Sequence, residues 1–185
     1  MGASSDRLSD KNQSFIRDQR LFFVATSPDE GRISVSPKGM DTFRCLDERR
    51  VGYLDLTGSS NETAAHVAQN SRITLMFCSF DATPLILRIY GRGRVVHRRD
   101  ADWEQHHAAF FGLDMRFRVG VRQIILVEVE LVRSSCGHGV PRFDFVSERE
   151  NMPEWLDRLG EQGMDEYRER KNQVSIDGLP TRLLR

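Results

Sequence analysis

The stretch LDLTGSSNETAAHVAQN, residues 54–70, decides how this chain is read, because an apolar run stops at Thr57-Gly58-Ser59-Ser60 and a helical pattern starts directly behind it. Ser59 and Glu62 stand three positions apart, the spacing of a capping box, in which a hydroxyl and a carboxylate each satisfy a backbone N–H of the first turn. A helix N-terminus also carries unpaired N–H groups and a partial positive charge, so a phosphate can rest against it. On this segment alone, a capped strand-to-helix turn that holds no ligand accounts for the residues equally well.

Working outward, residues 51–57 form the strand that feeds this turn and residues 62–70 the helix, and RITLMFCSF at 72–80 is apolar enough for a covered strand. Upstream, LFFVAT (21–26) and RISVS (32–36) flank Pro28-Asp29-Glu30-Gly31, which predicts a β-hairpin, and residues 10–18 can start a short helix. Downstream, LILRIYGRGRVVH (85–97) alternates around two glycines, a signature of a bulge or sharp bend in a curved sheet. Residues 100–111 read as helical, and QIILVEVELVR (123–133) is the longest clear strand. Six strands with only short helices between them predict a mainly β protein built as a small barrel.

The character changes at Cys136. CGHGVPRFDF (136–145) is a glycine- and proline-punctuated loop, and residues 152–171 carry Trp155, Leu156, Leu159, Met164 and Tyr167 among many charges. These apolar residues are too few for a separate core, so a C-terminal arm over 136–185 is expected to pack on the barrel (15–135) or on a second subunit, with 1–14 as a flexible polar tail.

With 27 Lys plus Arg against 27 Asp plus Glu in 185 residues, the chain has no global basic surface, which argues against nucleic acid as a partner. The opening MGASSDRLSDKNQS has no apolar core of the kind a secretory signal needs, and no window approaches ~18 apolar residues, so neither a signal peptide nor a membrane span is expected. Cys45, Cys78 and Cys136 are far apart and form no CxxC pair, which fits a reducing, cytoplasmic compartment and argues against a disulfide framework or a structural zinc.

The candidate chemistry narrows quickly. Gly91-Arg92-Gly93 lacks the third glycine of a dinucleotide fingerprint and runs into a strand, not a helix. His106 and His107 are adjacent and so point to different helix faces, while His66, His97 and His138 have no ligand partner nearby in sequence, and no metal site is expected. Cys136-Gly137-His138 sets a thiol near an imidazole but lacks an orienting third group. No catalytic residue emerges. What does recur is a set of anion-friendly groups on successive strands. Ser34-Val35-Ser36-Pro37-Lys38-Gly39 closes one strand, Thr57-Gly58-Ser59-Ser60-Asn61 closes the next, and Arg88 lies in an apolar strand where an unpaired charge would be unusual. Lys38 also reads as a solvated turn residue, and Arg88 as an outward-facing strand residue.

Through the strand order over residues 15–136 and the segments SVSPKG (34–39), LDLTGSSNET (54–63), 73–80 and LRIYGRGRV (87–95), the sequence resembles the pyridoxamine 5'-phosphate oxidase-like, FMN-binding split β-barrel family. CGHGVP (136–141) and KNQVSIDGLPT (171–181) look like signatures of an uncharacterised branch of it. The resemblance implies a six-stranded split barrel that forms a homodimer, with FMN in two grooves at the subunit interface. By that pattern Ser34, Val35, Ser36 and Lys38 line the isoalloxazine, Thr57, Gly58, Ser59, Ser60 and Asn61 hold ribityl and phosphate, and Arg88 reaches the flavin from the neighbouring strand. It further implies a flavin-dependent oxidoreductase acting on an unidentified small substrate. The alternative is a module that binds flavin, deazaflavin or haem without turnover. Two departures bear on activity. The family's oxidases place a lysine or arginine in the segment matching 59–63, which is SSNET here, and they end in an arginine-x-histidine motif where this chain reads SIDGLPTRLLR. The missing motif argues against vitamin B6 oxidation. Residues 172–181, with Asp177-Gly178 as a turn and Pro180 behind it, are expected to cross to a partner subunit as a lid over its groove.

Overall fold

A computed structural model describes residues 2–110 and 115–184. In chain order the elements are β1 (Ser4–Ser5), α1 (Asp10–Asp18), β2 (Phe22–Thr26), β3 (Ser34–Lys38), β4 (Phe43–Cys45), β5 (Arg50–Leu56), α2 (Glu62–Asn70), β6 (Arg72–Cys78), β7 (Ile86–His97), α3 (Trp103–His107), β8 (Val121–Ser135) and α4 (Asn151–Lys171). Short 3-10 turns occupy Ala108–Phe110 and Met115–Gly120. The helix expected over 100–111 is thus shorter, and Phe111 lies outside the described residues.

All strand pairings are antiparallel, and the sheet runs β3-β2-β6-β7-β8-β5-β4 with β1 laid beside β8. β3 and β5 lie five places apart in that order, yet the Lys38 ammonium donates to the Asp55 carboxylate at 2.8 Å. Across the same interior the Phe22 ring of β2 meets Phe43 of β4 at 5.1 Å and Tyr53 of β5 at 5.4 Å between centroids. The sheet therefore curls until its two halves face each other, while β3 and β4 share no ladder of hydrogen bonds, and the barrel is split along that seam.

The curl is built into β7, where the register slips between Tyr90 and Gly91. A Cβ at Gly91 would lie 2.1 Å from the Glu128 carbonyl oxygen, so only glycine lets β8 approach this closely. Buried side chains alternate along β2, β6 and the first half of β7 to fill the interior with Phe22, Val24, Leu75, Phe77, Leu87 and Ile89. A second cluster, around Leu54, Val96, Trp103, Phe110 and Ile124, packs on the outer face of β5 and β8.

Three local outcomes differ from expectation. The hairpin forms, but β3 is Ser34–Lys38, pairing Phe22 with Lys38 and Thr26 with Ser34. Pro37 is tolerated inside it because β3 is an edge strand whose outer N–H groups need no sheet partner. β4 was not expected, being three residues long with no alternation to mark it. β1 lies within the segment read as a tail, pairing Ser4 with Arg133 and Ser5 with Val132, and Leu8 behind it is buried.

The C-terminal arm packs back on the barrel. α4 is two helical segments joined at Gly160, whose φ of 60° lies in the left-handed region, and its Leu156 and Met164 are buried with Phe117 of the turn before β8. No helix among the described residues is long and apolar enough to cross a membrane.

Candidate functional site

The site is built around one carboxylate. Asp55 sits at the bulge near the end of β5, with its side chain 1% exposed. It accepts hydrogen bonds from Lys38 Nζ on β3 and from Arg122 Nε and Gln123 Nε2 on β8, each at 2.8 Å. Burial by itself would oppose ionisation of Asp55. The Arg122 guanidinium and Lys38 ammonium more than reverse this, holding its carboxyl well below the usual carboxylate range. A buried carboxylate with two cations and an amide around it is a fixed anion that orients both cations.

From Asp55 the polar network extends into the loop that follows β5. Gln123 Nε2 donates to Asn61 Oδ1 at 2.7 Å, and Arg122 Nη1 donates to the Ser60 carbonyl at 2.8 Å and to Asn172 Oδ1 at 3.0 Å. Asn172 in turn donates from Nδ2 to the Gly58 carbonyl at 2.9 Å. The Thr57 hydroxyl donates to Gly120 O and accepts from Arg168 Nε of α4, both at 2.9 Å. Thr57, Gly58, Ser60 and Asn61 are thereby each held by a side chain from β8 or the C-terminal arm.

The expected capping box between Ser59 and Glu62 is absent. Asn61 is the N-cap of α2 and makes no side-chain cap bond, because its amide is committed to Gln123 and to the Asn172 carbonyl. Ser59 and Ser60 are exposed. The Glu62 carboxylate instead accepts from the backbone N–H of Ile176 at 3.0–3.1 Å. The first turn of α2 is therefore left without a side-chain cap, the condition in which its amides can take an external anion.

Within one chain the segment expected to act as a lid has contacts of its own. Residues 172–181 fold onto their own chain, through Asn172 to Gly58, Ile176 to Glu62, and an Asp177–Arg32 ion pair. Arg32 lies just before β3, so this segment straps the edge strand to the start of α2.

Beside the network lies a groove of about 570 Å³, within the size range of small-ligand sites. Pro37 and Lys38 form one wall, Leu54, Leu56, Thr57 and Gly58 another, and the 145–149 segment passes along its rim. Nothing lies within 4 Å of a Cβ placed on Gly58, so that rim is open backbone. Arg20 reaches over the Phe145 ring, 4.9 Å from its centroid, and joins Lys38 and Arg149 against Glu148 as the charges on the lining.

Of the residues singled out from sequence, Lys38, Thr57 and Gly58 meet in this groove. Ser34 and Ser36 share Lys38's face of β3, and Val35 projects from the other face with 62% exposure. Asn61 is buried in the polar network behind the loop. Arg88 is elsewhere. It lies near the far end of β7, donating to Ser135 Oγ at 3.1 Å, roughly 30 Å along the strand from the His97–Gln123 pair at the usual rise per residue. Within one chain it is not part of the groove.

Asp55, Arg122, Gln123, Arg168 and Asn172 were not singled out. Their one sequence signal is polarity in an apolar setting. Asp55 interrupts Tyr53-Leu54-Leu56, and Arg122-Gln123 head the most apolar strand of the chain. Arg168 and Asn172 carry no such mark, because they reach the loop only through the path of α4. Cys136 and His138 are both exposed, and burial pushes the Cys45 thiol up to about 11. Among the described residues no group of three or more His, Cys, Asp or Glu converges as a metal site.

Comparison with known proteins agrees with this architecture. The sequence profile of the family "Pyridoxamine 5'-phosphate oxidase" matches residues 8–136. A curated relative, the pyridoxamine 5'-phosphate oxidase family protein ustO of Aspergillus flavus, is 37% identical over 193 residues, spanning 95% of this chain and 76% of its own. Among solved structures, HupZ of Group A Streptococcus superposes with a TM-score of 0.52 at 18% identity, over 67% of this chain and 91% of that one. An FAD-binding protein of Mesorhizobium loti gives 0.52 at 13%, over 72% and 96%. At such identities these structures speak for the split-barrel fold alone, whereas the profile and the curated relative reach further: this chain is a member of the pyridoxamine 5'-phosphate oxidase family.

Proposed function

We propose that the groove between β3 and the loop after β5 binds a flavin, FMN in the first instance, and that the protein is a flavin-dependent oxidoreductase acting on a small substrate. The observation that carries this is a groove with Lys38 on one wall and the open backbone at Gly58 on the facing one, the 57–61 loop leading on from there to the uncapped first turn of α2. These residues fit the group. Leu56 and Met152 offer apolar surface for a ring system, Lys38 offers a cation, and the 57–61 loop offers backbone to a phosphate.

Bound FMN would supply the electron or hydride transfer itself. The chain's part is to hold and bias. Asp55 keeps the Lys38 ammonium fixed while Arg122 shares the carboxylate, so the groove wall presents positive charge without a mobile side chain. The network behind Thr57 keeps the loop in one shape, so an incoming phosphate meets preorganised amides. A homodimer in which a second chain completes the groove belongs to the same proposal.

A second reading, flavin binding without turnover, is favoured by one feature: Lys38 is tied to Asp55, and the carboxylate lining the groove, Glu148, is on the exposed 145–149 segment. The absorbance of purified protein, taken after adding FMN and desalting, tests both. Retained flavin bands are the expected result, and protein that emerges colourless overturns the proposal. Oxidation of a nicotinamide donor with an artificial acceptor, faster than free FMN supports, then selects the enzyme over the carrier.

A further inference from the structure

On the other side of the 57–61 loop lies a second cavity, of about 320 Å³, between the turn after β7, the start of β8, α4 and the C-terminal residues. Four guanidinium groups line it, from Arg98, Arg99, Arg122 and Arg168, against the carboxylates of Glu161 and Asp165. Two of these arginines are buried, each only 4% exposed. Arginines so enclosed are normally matched by as many anions.

Each of the two has a carboxylate partner, but the cluster around them carries more cations than anions. Asp165 engages Arg168 at 2.8 Å, and Arg168 spends its remaining bonds on Thr57 and on the carbonyls of Val119 and Val121. Arg122 shares Asp55 with Lys38. Counting Lys38 and Asp55 with the lining, five cationic side chains meet three carboxylates. Nη2 of Arg122 makes no hydrogen bond among the described residues, and the Arg98 guanidinium makes none either, while Arg99 donates only to the Arg182 carbonyl. The imbalance is felt within the cluster. Burial draws the Arg168 pKa down, Asp165 opposes this, and the positive charges of Arg98 and Arg122 add to the lowering. Val119, Leu183 and Leu184 supply an apolar side to the same cavity.

We propose that this cavity is a second ligand site, taking a small organic anion whose phosphate or carboxylate group sits against Nη2 of Arg122 between Arg98 and Arg99, with its apolar body on Val119 and Leu183. Two oxygens of such a group match the unused N–H donors of Arg122, and the anion restores charge balance where the fold leaves a surplus of cations. The site does not rest on the flavin reading. Arg122 and Thr57 separate it from the groove, so either can fail alone.

The test is calorimetric titration of the full chain with phenyl phosphate and, separately, with benzoate, at constant ionic strength set with chloride, with and without excess FMN. Saturable binding of at least one probe is expected, the tighter of the two identifying the head group, and FMN is expected to leave it unchanged. In the double variant Arg98→Ala/Arg99→Ala both changes fall on exposed side chains, and affinity should drop about tenfold or more with the melting temperature retained. Absence of saturable binding by either probe, binding that the double variant keeps, or binding that FMN abolishes would each overturn the proposal.

Discussion

Asp55 balances two cations in a space from which water is largely excluded, and that single charge sets the geometry of Lys38 and Arg122 together. Replacing it with asparagine keeps the shape but leaves Lys38 and Arg122 without their counter-charge, so Asp55→Asn should cost about 3–5 kcal/mol in urea unfolding. The wild-type protein should also lose stability in acid in a way the variant does not. Because the folded carboxyl releases its proton more readily than the unfolded one, its contribution is complete above the unfolded pKa of about 3.9 and is lost as pH falls through that value toward the lower folded one. Unfolding free energies of both proteins between about pH 5 and pH 2 check this, and parallel curves would rule it out. Little of this was legible in sequence, where Asp55 is one acid between two leucines and its partners lie 17 and 67 positions away.

At the scale of elements, the 57–61 loop and α2 owe their position to the arm that returns after α4. Asn172 bonds to Gly58 and accepts from Arg122, and Thr181 Oγ1 ties to the Asn172 carbonyl at 2.6 Å. Truncation after Arg170 removes these bonds along with the Ile176–Glu62 contact and the Asp177–Arg32 pair, and should cost about 2–4 kcal/mol of stability. Flavin retention should fall with it, because the loop loses its fixed shape. A truncated protein with unchanged melting temperature and flavin content would contradict this role. The helix and its start near residue 62 were readable from periodicity and the polar break at Thr57. Which residue caps it was not. Ser59-x-x-Glu62 has the right local spacing, but Asn61 is drawn into the bonds of β8 and Glu62 into those of the arm, and those tertiary partners outcompete a local cap.

For the whole molecule, Val35 of edge strand β3 and Ile33 just before it are exposed at 62% and 73%, and Ile176 next to the Asp177–Arg32 pair is 70% exposed. A sheet edge carrying apolar side chains invites cover, and a second copy of the chain is the cover proposed here. Sedimentation at micromolar concentration should give a dimer, and Val35→Glu should shift it toward monomer. Wild-type protein that sediments as a monomer would exclude that arrangement. By itself the sequence determined the mainly β class, the hairpin, the position of α2 and the bend at Gly91, and it singled out Lys38, Thr57 and Gly58, since each follows from local periodicity, turn chemistry or the resemblance of short motifs. Only the tertiary structure decided that β3 and β5 meet across a split seam, that Lys38 is bound to Asp55, that Arg88 lies apart from the groove, and that Arg122 and Arg168 face a second cavity. Those outcomes depend on how far the sheet curls and where the arm returns, and curl and return are set by packing among residues too far apart in the chain for any local pattern to encode.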